Sequence, residues 1–303
     1  VEEAIAAARA IETQGMMHTL DHLGESVTSV ADADAATRDY LRVIDAVKQS
    51  GVIRNISVKL TQLGLSVDRI TAIDNMRRIL DAGEGFFVRL DMENSPFTDV
   101  TLEVLETLWN LNYRNVGIVL QSDLYRTDED VKRVNALGAR VRLVKGAYKE
   151  PKTVAYQRKA DVDAAYVRQM QVLLVEGNYP AIATHDPVMI EATKAYAKAK
   201  GYPNDRFEFQ MLYGIRRDLQ TSLVNEGYRM RVYVPFGRQW YPYFMRRLGE
   251  RPANLGFVLR SLVAHSPSLA AFSQAPQPHG AVLTKARFSS MRTTPSSRTE
   301  MQG

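Results

Sequence analysis

Short apolar or β-branched runs alternate with longer, helix-periodic segments eight times before residue 240, and this alternation restricts the possible folds more than any other feature of the chain. The strand-like runs are "MMHTL" (16–20), "NISVKL" (55–60), "FFVRLD" (86–91), "VGIVLQ" (116–121), "VRLV" (141–144), "AIATH" (181–185), "FEFQML" (207–212) and "RVYVPF" (231–236). Each is bounded by turn residues or charges, as strands are. Between them apolar residues recur three and four apart. Val67, Ile70, Ile73, Met76 and Leu80 form one stripe; Leu102, Leu105 and Leu108 with Trp109 form another; Val162, Tyr166, Met170 and Leu173 form a third. "TRDYLRVIDAVKQSG" and "DPVMIEATKAYAKAKG" each close on a glycine soon after a basic residue, a common helix stop. Eight strands alternating with helices over roughly 250 residues predict an α/β chain folded as a (β/α)8 TIM-like barrel. A doubly wound open sheet competes, but it carries a glycine-rich turn after its first strand, and "DHLGES" is not one. The barrel is expected to occupy 1–272.

The composition suits such a domain. With 45% hydrophobic and 24% charged residues, the chain reads as an ordinary globular protein. No apolar run is long enough to span a bilayer, and the first residues carry no secretory-signal pattern. The absence of cysteine excludes disulfides, thiolate metal sites and cysteine nucleophiles, and it fits a reducing cytosol. Much of the net charge of +5 is concentrated in 273–303, where Lys285, Arg287, Arg292 and Arg298 face only Glu300. That segment is rich in Ser, Thr, Pro and Gln without apolar periodicity, and it is expected to be a disordered basic tail. The remainder is only mildly basic, so no nucleic-acid footprint is indicated.

In a barrel the chemistry sits at the C-terminal ends of the strands. Polar residues gather there in this sequence: Lys59 near the end of "NISVKL", Asp91 ending "FFVRLD", Gln121 ending "VGIVLQ", Arg142 and Lys145 around "VRLV", His185 ending "AIATH", and Tyr233 in the last strand. Each has a plainer reading as well. Lys59 at the rim can snorkel, Asp91 can cap the next helix, and His185 can be an ordinary loop histidine. A zinc site is not expected. "RLVKGAYKEP" (142–151) is more specific, because Gly146 and Ala147 let backbone approach a ligand beside the Lys145 cation. The loop that follows, up to about Lys159, is long for a βα connection.

"YPYFMRRLGERPAN" (241–254) would form the helix after the eighth strand. Arg246 and Glu250 are four apart and share a face, whereas Arg247 points about 100° away. Such charges often make only a solvated face. Two adjacent guanidinium groups at the mouth of a barrel can also fork onto one carboxylate, which suits a small acidic substrate.

Taken together, these segments resemble the proline dehydrogenase family, including the proline dehydrogenase domain of proline utilization A. "SVKL" (57–60), "RLDMEN" (89–94), "RLVKGAY" (142–148), "ATHD" (183–186), "FEFQML" (207–212), "VYVPFG" (232–237) and "YFMRRLGERPAN" (243–254) follow in family order over about two hundred residues. The resemblance implies an FAD-dependent barrel that oxidises L-proline to Δ1-pyrroline-5-carboxylate, with the last helix contributing to the site. It implies that Arg246 and Arg247 bind the proline carboxylate and that Lys59 lies beside it and Glu250. Asp91 would hold the polar network and Arg142 would approach the flavin N5 edge, these two being the catalytic candidates. Tyr148, Leu212 and Tyr233 would wall in the substrate ring. Met92, Gln121, Lys145, Gly146, Ala147, Thr184 and His185 would contact FAD, and Glu250 is grouped with them.

The resemblance further implies a quinone as electron acceptor, reached by peripheral membrane contact from the cytoplasm. It also implies a separate pyrroline-5-carboxylate dehydrogenase downstream. Only Val1 to Gln14 precede the first strand, fewer residues than is usual in the family, so a trimmed N-terminus is expected. The length leaves no room for the second enzyme domain of the bifunctional members, so a monofunctional chain is expected. Two other readings stay open: a Schiff-base aldolase barrel with Lys59 as nucleophile, and a barrel that binds flavin or an amino acid without turning it over.

Overall fold

The computed structural model describes residues 1–24 and 26–237. Eight parallel strands close into a barrel: β1 (Met17–His22), β2 (Asn55–Val58), β3 (Phe87–Leu90), β4 (Val116–Gln121), β5 (Val141–Val144), β6 (Ala181–Ala183), β7 (Glu208–Leu212) and β8 (Arg229–Phe236). Each pairs with the next, and β8 returns to β1 with Thr19 opposite Tyr233. Helix α1 (Glu2–Glu12) precedes the barrel and packs on β1 and β8 through buried Ala4, Ala8 and Ile11. The helices α2 (Val30–Ser50), α3 (Arg69–Ala82), α4 (Thr98–Asn110), α5 (Thr127–Leu137), α6 (Lys159–Glu176), α7 (Pro187–Ala199) and α8 (Arg217–Asn225) follow β1 to β7 in turn. The expected tail (273–303) and the helix around 241–248 lie outside the described residues.

Local chemistry explains where the helices begin and end. Ser29 caps α2 by accepting the Asp32 N–H, and Gly51 ends it in the left-handed conformation at φ 74°. Asp68 caps α3 through the Thr71 N–H, and Asp186 caps α7 with Pro187 at the first helical position. In α4, Leu102, Leu105 and Leu108 are buried as their spacing predicts, each stabilising the fold by about 1.5–3 kcal/mol.

The stripe expected in α3 is displaced. Val67 precedes the helix and Ile70 is 71% exposed. The barrel-facing side is instead Ala72, Met76, Ile79 and Leu80, and Ile70 stands about 200° around the helix from Ala72. Strand ends also shift: β1 runs two residues beyond Leu20, whereas β2 stops one short of Lys59. There the Lys59 and Leu60 carbonyls accept the Gln62 and Leu63 N–H groups, turning the chain out of the ladder. Asp91 and His185 likewise fall just past β3 and β6.

The barrel interior is polar as well as packed. Arg231 donates to both Glu208 carboxylate oxygens, at 2.7 and 2.9 Å, and to the His18 carbonyl at 2.8 Å. Arg89 donates to the Arg140 carbonyl at 2.8 Å and lies over the Phe87 ring. Burial opposes ionisation of Glu208, but the paired Arg231 holds its carboxyl below the ordinary value. Burial, then the neighbouring Arg142 charge, pushes Arg89 well below its ordinary value. Buried ions survive here because each has a partner.

Candidate active site

Side chains from β1, β5 and β8 and from the C-terminal ends of β2 and β3 form one buried array. The Asp91 carboxylate accepts Arg142 Nη1 on Oδ1 at 2.7 Å, and its Oδ2 lies 2.7 Å from the Tyr233 hydroxyl oxygen. Lys59 Nζ donates to Asp21 Oδ2 at 2.9 Å and stands 3.9 Å from Asp91 Oδ2. The Tyr233 hydroxyl is also 2.5 Å from Asp21 Oδ2, and Arg142 Nη2 donates to the Ser57 hydroxyl at 3.0 Å. The Arg142 guanidinium lies over the Tyr233 ring, 5.2 Å from its centre. Side-chain exposure in the two ion pairs is at most 12%.

The plainer readings of these residues are thereby answered. Lys59 does not snorkel to the rim, since it is 93% buried and ion-paired. Asp91 does not cap a helix; its oxygens face Arg142 and Tyr233, and the short 3₁₀ turn that follows has no side-chain cap.

Around the array the loops are tied to one another. The Gln121 amide donates to the Glu93 carbonyl at 3.0 Å and accepts the Ala147 N–H at 3.4 Å, joining the β3, β4 and β5 loops. Glu93 accepts both the Thr61 N–H and hydroxyl, at 3.1 and 2.6 Å, while burial pushes its carboxyl up. Glu150 accepts the Ser95 N–H at 2.8 Å and its hydroxyl at 2.5 Å, fastening the β5 loop to the β3 loop. A cleft of about 450 Å³ opens between these loops, lined in part by Ser26, Glu93, Tyr148 and Lys149. The long segment before α6 is strapped to the β4 loop through Tyr125–Val154 and Tyr156–Asp123 backbone hydrogen bonds.

The remaining expected residues fall into two smaller groups. Lys145 Nζ lies between Asp163 (2.5 Å) and Asp186 (2.6 Å). Thr184 accepts the Asp186 N–H at 3.0 Å, and His185 Nε2 accepts the Leu212 N–H at 2.9 Å, which ties the β6 loop to β7. Gly146 has φ 124°, and a Cβ there would run into the Asp123 carboxylate. Met92 is buried and belongs to the apolar core. Arg246, Arg247 and Glu250 lie outside the described residues.

A family profile described as proline dehydrogenase matches residues 4–260. The chain belongs to the proline dehydrogenase family. It is 43% identical over 261 residues to proline dehydrogenase 2 of Bacillus subtilis, spanning 86% of each chain. It is 44% identical over 269 residues to proline dehydrogenase of Deinococcus radiodurans, spanning 87% of each. Among solved structures it is similar to proline utilization A from Bdellovibrio bacteriovorus inactivated by N-propargylglycine. The TM-score is 0.75 and the identity 30%, over 82% of this chain and 31% of that one. The expected family and barrel therefore both hold.

Arg142 Nε is a buried donor with no partner among the described residues, so it has a hydrogen left for a bound acceptor. Gly146, just past β5, leaves the backbone there bare of a side chain. Asp21 and Ser57, which join the array, were not among the sequence candidates. Asp21 was missed because the first strand was ended at Leu20. Extended by one more inward-facing position beyond Thr19, the strand displays Asp21 at its C-terminal end like the others.

Proposed function

We propose that the chain is an FAD-dependent enzyme that oxidises L-proline to Δ1-pyrroline-5-carboxylate, the first step of proline catabolism toward glutamate. The observation that supports this reading best is the buried array of Arg142, Asp91, Tyr233, Asp21 and Lys59 at the strand ends of a barrel of this family. When bound, the flavin supplies a two-electron acceptor for the hydride that leaves proline C5. The amine proton must also depart, so that the ring nitrogen and C5 become the product imine.

The protein's own contribution is position and charge. Lys59 offers a cation to the substrate carboxylate, joined in this reading by Arg246 and Arg247. Tyr233, Leu212 and Tyr148 confine the ring. Leu212 supports this, since it shares the inward face of β7 with the buried Glu208 and Gln210. Asp91 holds Arg142 in place, and the Arg142 Nε–H, which has no partner among the described residues, would be offered to the flavin. Gln121, Gly146 and Ala147 with Met92, Lys145, Thr184, His185 and Glu250 form the proposed FAD contacts. The strand-end donors and the bare Gly146 backbone support those positions.

A quinone, reached through peripheral membrane contact, is the proposed final electron acceptor. Among the described residues no helix is long and apolar enough to cross a membrane. A separate pyrroline-5-carboxylate dehydrogenase would take the product. An anaerobic visible spectrum before and after L-proline tests the proposal. Bleaching of a flavin band by proline is expected. A flavin band that proline leaves intact overturns the substrate assignment, and a protein that binds no FAD on reconstitution overturns the cofactor.

A further inference from the structure

The two cations of the array are sorted between two carboxylates. Arg142 takes Asp91 at 2.7 Å, whereas Lys59 takes Asp21 at 2.9 Å and stands 3.9 Å from Asp91. Asp21 has no exposed surface, and its Oδ2 receives both Lys59 Nζ and the Tyr233 hydroxyl, the latter at 2.5 Å. A phenol carries one hydrogen, and Asp21 Oδ2 is its nearer acceptor, since Asp91 Oδ2 is 2.7 Å away. Asp21 Oδ1 is buried without a close hydrogen-bond partner among the described residues, and, after burial itself, the carboxylate's charge helps to push the buried Tyr40 hydroxyl up. Register fixes its place: Asp21 is opposite Ser57 of β2 and Pro235 of β8, so Tyr233, two residues before Pro235, is its diagonal neighbour on the same sheet face.

We propose that Asp21 is a positioning residue for the substrate site: it fixes the Lys59 ammonium and the Tyr233 hydroxyl where the substrate meets them, without touching the substrate itself. This rests on the reading that Lys59 lies beside the proline carboxylate. With Asp21 neutral, the nearest anion to Lys59 among the described residues is Asp91, which already holds Arg142. Loss of the 2.9 Å ion pair lets the ammonium shift, and ground-state binding of the substrate weakens more than turnover does.

The test is a double-mutant cycle on the FAD-loaded enzyme, with Asp21→Asn, Lys59→Met and the double variant. Asp21→Asn is expected to raise KM for proline at least about tenfold with a far smaller change in kcat. In the Lys59→Met background the same substitution is expected to add less than about twofold, because the cation it positions is gone. A residue that merely supports the fold would instead multiply its effect in both backgrounds. An unchanged KM in Asp21→Asn, or independent effects in the cycle, overturns the inference. If Lys59→Met raises KM and Asp21→Asn does not, the carboxylate reading stands and this inference alone fails. If Lys59→Met leaves KM unchanged, both fail. Should Asp21→Asn not fold, the double variant decides, since both buried charges leave together: a folded double variant with the KM of Lys59→Met supports the pairing, and one that also fails to fold overturns it.

Discussion

Gly146 shows how much one backbone position can hold in this barrel. It lies just past β5 with φ 124°, and a Cβ built there overlaps the Asp123 carboxylate. Gly51 also has a positive φ, 74°, but a Cβ there meets nothing within 4 Å. The pair separates backbone strain from collision. Gly51→Ala is expected to cost about 1–2 kcal/mol, the penalty of a left-handed residue alone. Gly146→Ala should cost more, because Asp123 and the Lys145–Ala147 backbone must move as well. Thermal melts of the two variants compare the costs, and the ratio of flavin to protein absorbance reads the damage to the proposed cofactor site. Equal destabilisation with full flavin content would mean that the loop gives way without consequence. At this scale the sequence was informative where residue type conflicts with environment. A lysine, an aspartate and an arginine near strand ends are such conflicts, and Lys59, Asp91 and Arg142 do meet in one array. Ser57 gives no such signal, since a serine in a strand conflicts with nothing.

Elements of the barrel rim are held by side chains that bridge from loop to loop. Glu150 is the clearest: its carboxylate takes the N–H and hydroxyl of Ser95 at the start of the 3₁₀ turn (Ser95–Phe97). Glu150→Ala removes both acceptors and leaves the half-buried Ser95 N–H to find water, at a cost of about 1 kcal/mol. The segment carrying Tyr148 should then be cut faster by protease under native conditions, and KM for proline should rise. Protease resistance equal to the parent would show that the backbone straps to the β4 loop hold this segment unaided. Such bridges were not legible in the sequence, because Ser95 and Glu150 are 55 residues apart and neither is unusual on its own. Helix limits were legible for a local reason: Ser29, Asp68 and Asp186 act on N–H groups two or three residues away. The inner face of α3 was not. Its apolar residues continue onto the solvent side at Ile70, and only packing against the barrel selects among them.

For the whole molecule, the eight-fold alternation carried the architecture because a parallel strand buried on both faces demands a crossover helix to its neighbour. What it could not carry was the polar filling of the barrel, which depends on partners brought together by closure. His18 lies on the opposite face of β1 from that filling, against α1. It is fully buried on β1, its Nε2 is 3.0 Å from Glu12 of α1, and its carbonyl serves Arg231 of β8. Burial lowers its pKa below the ordinary 6.5, and Glu12 offsets this only in part. The folded chain therefore takes up this proton less readily than the unfolded chain. The resulting stability is fully present above the unfolded value of 6.5 and is lost as pH falls through the lower folded value. His22 shifts in the same direction, chiefly by burial. Carboxylates with lowered values, such as Glu208, act below their ordinary 4.5, so the histidine window lies at higher pH and is separable. Denaturant melts of the parent should show stability falling from pH 7.5 toward pH 5.5. In His18→Gln, whose amide can still donate to Glu12, that fall should be smaller, whatever the variant's stability at pH 7.5. An equal fall in both proteins would assign the acid sensitivity of this range to His22 or another group.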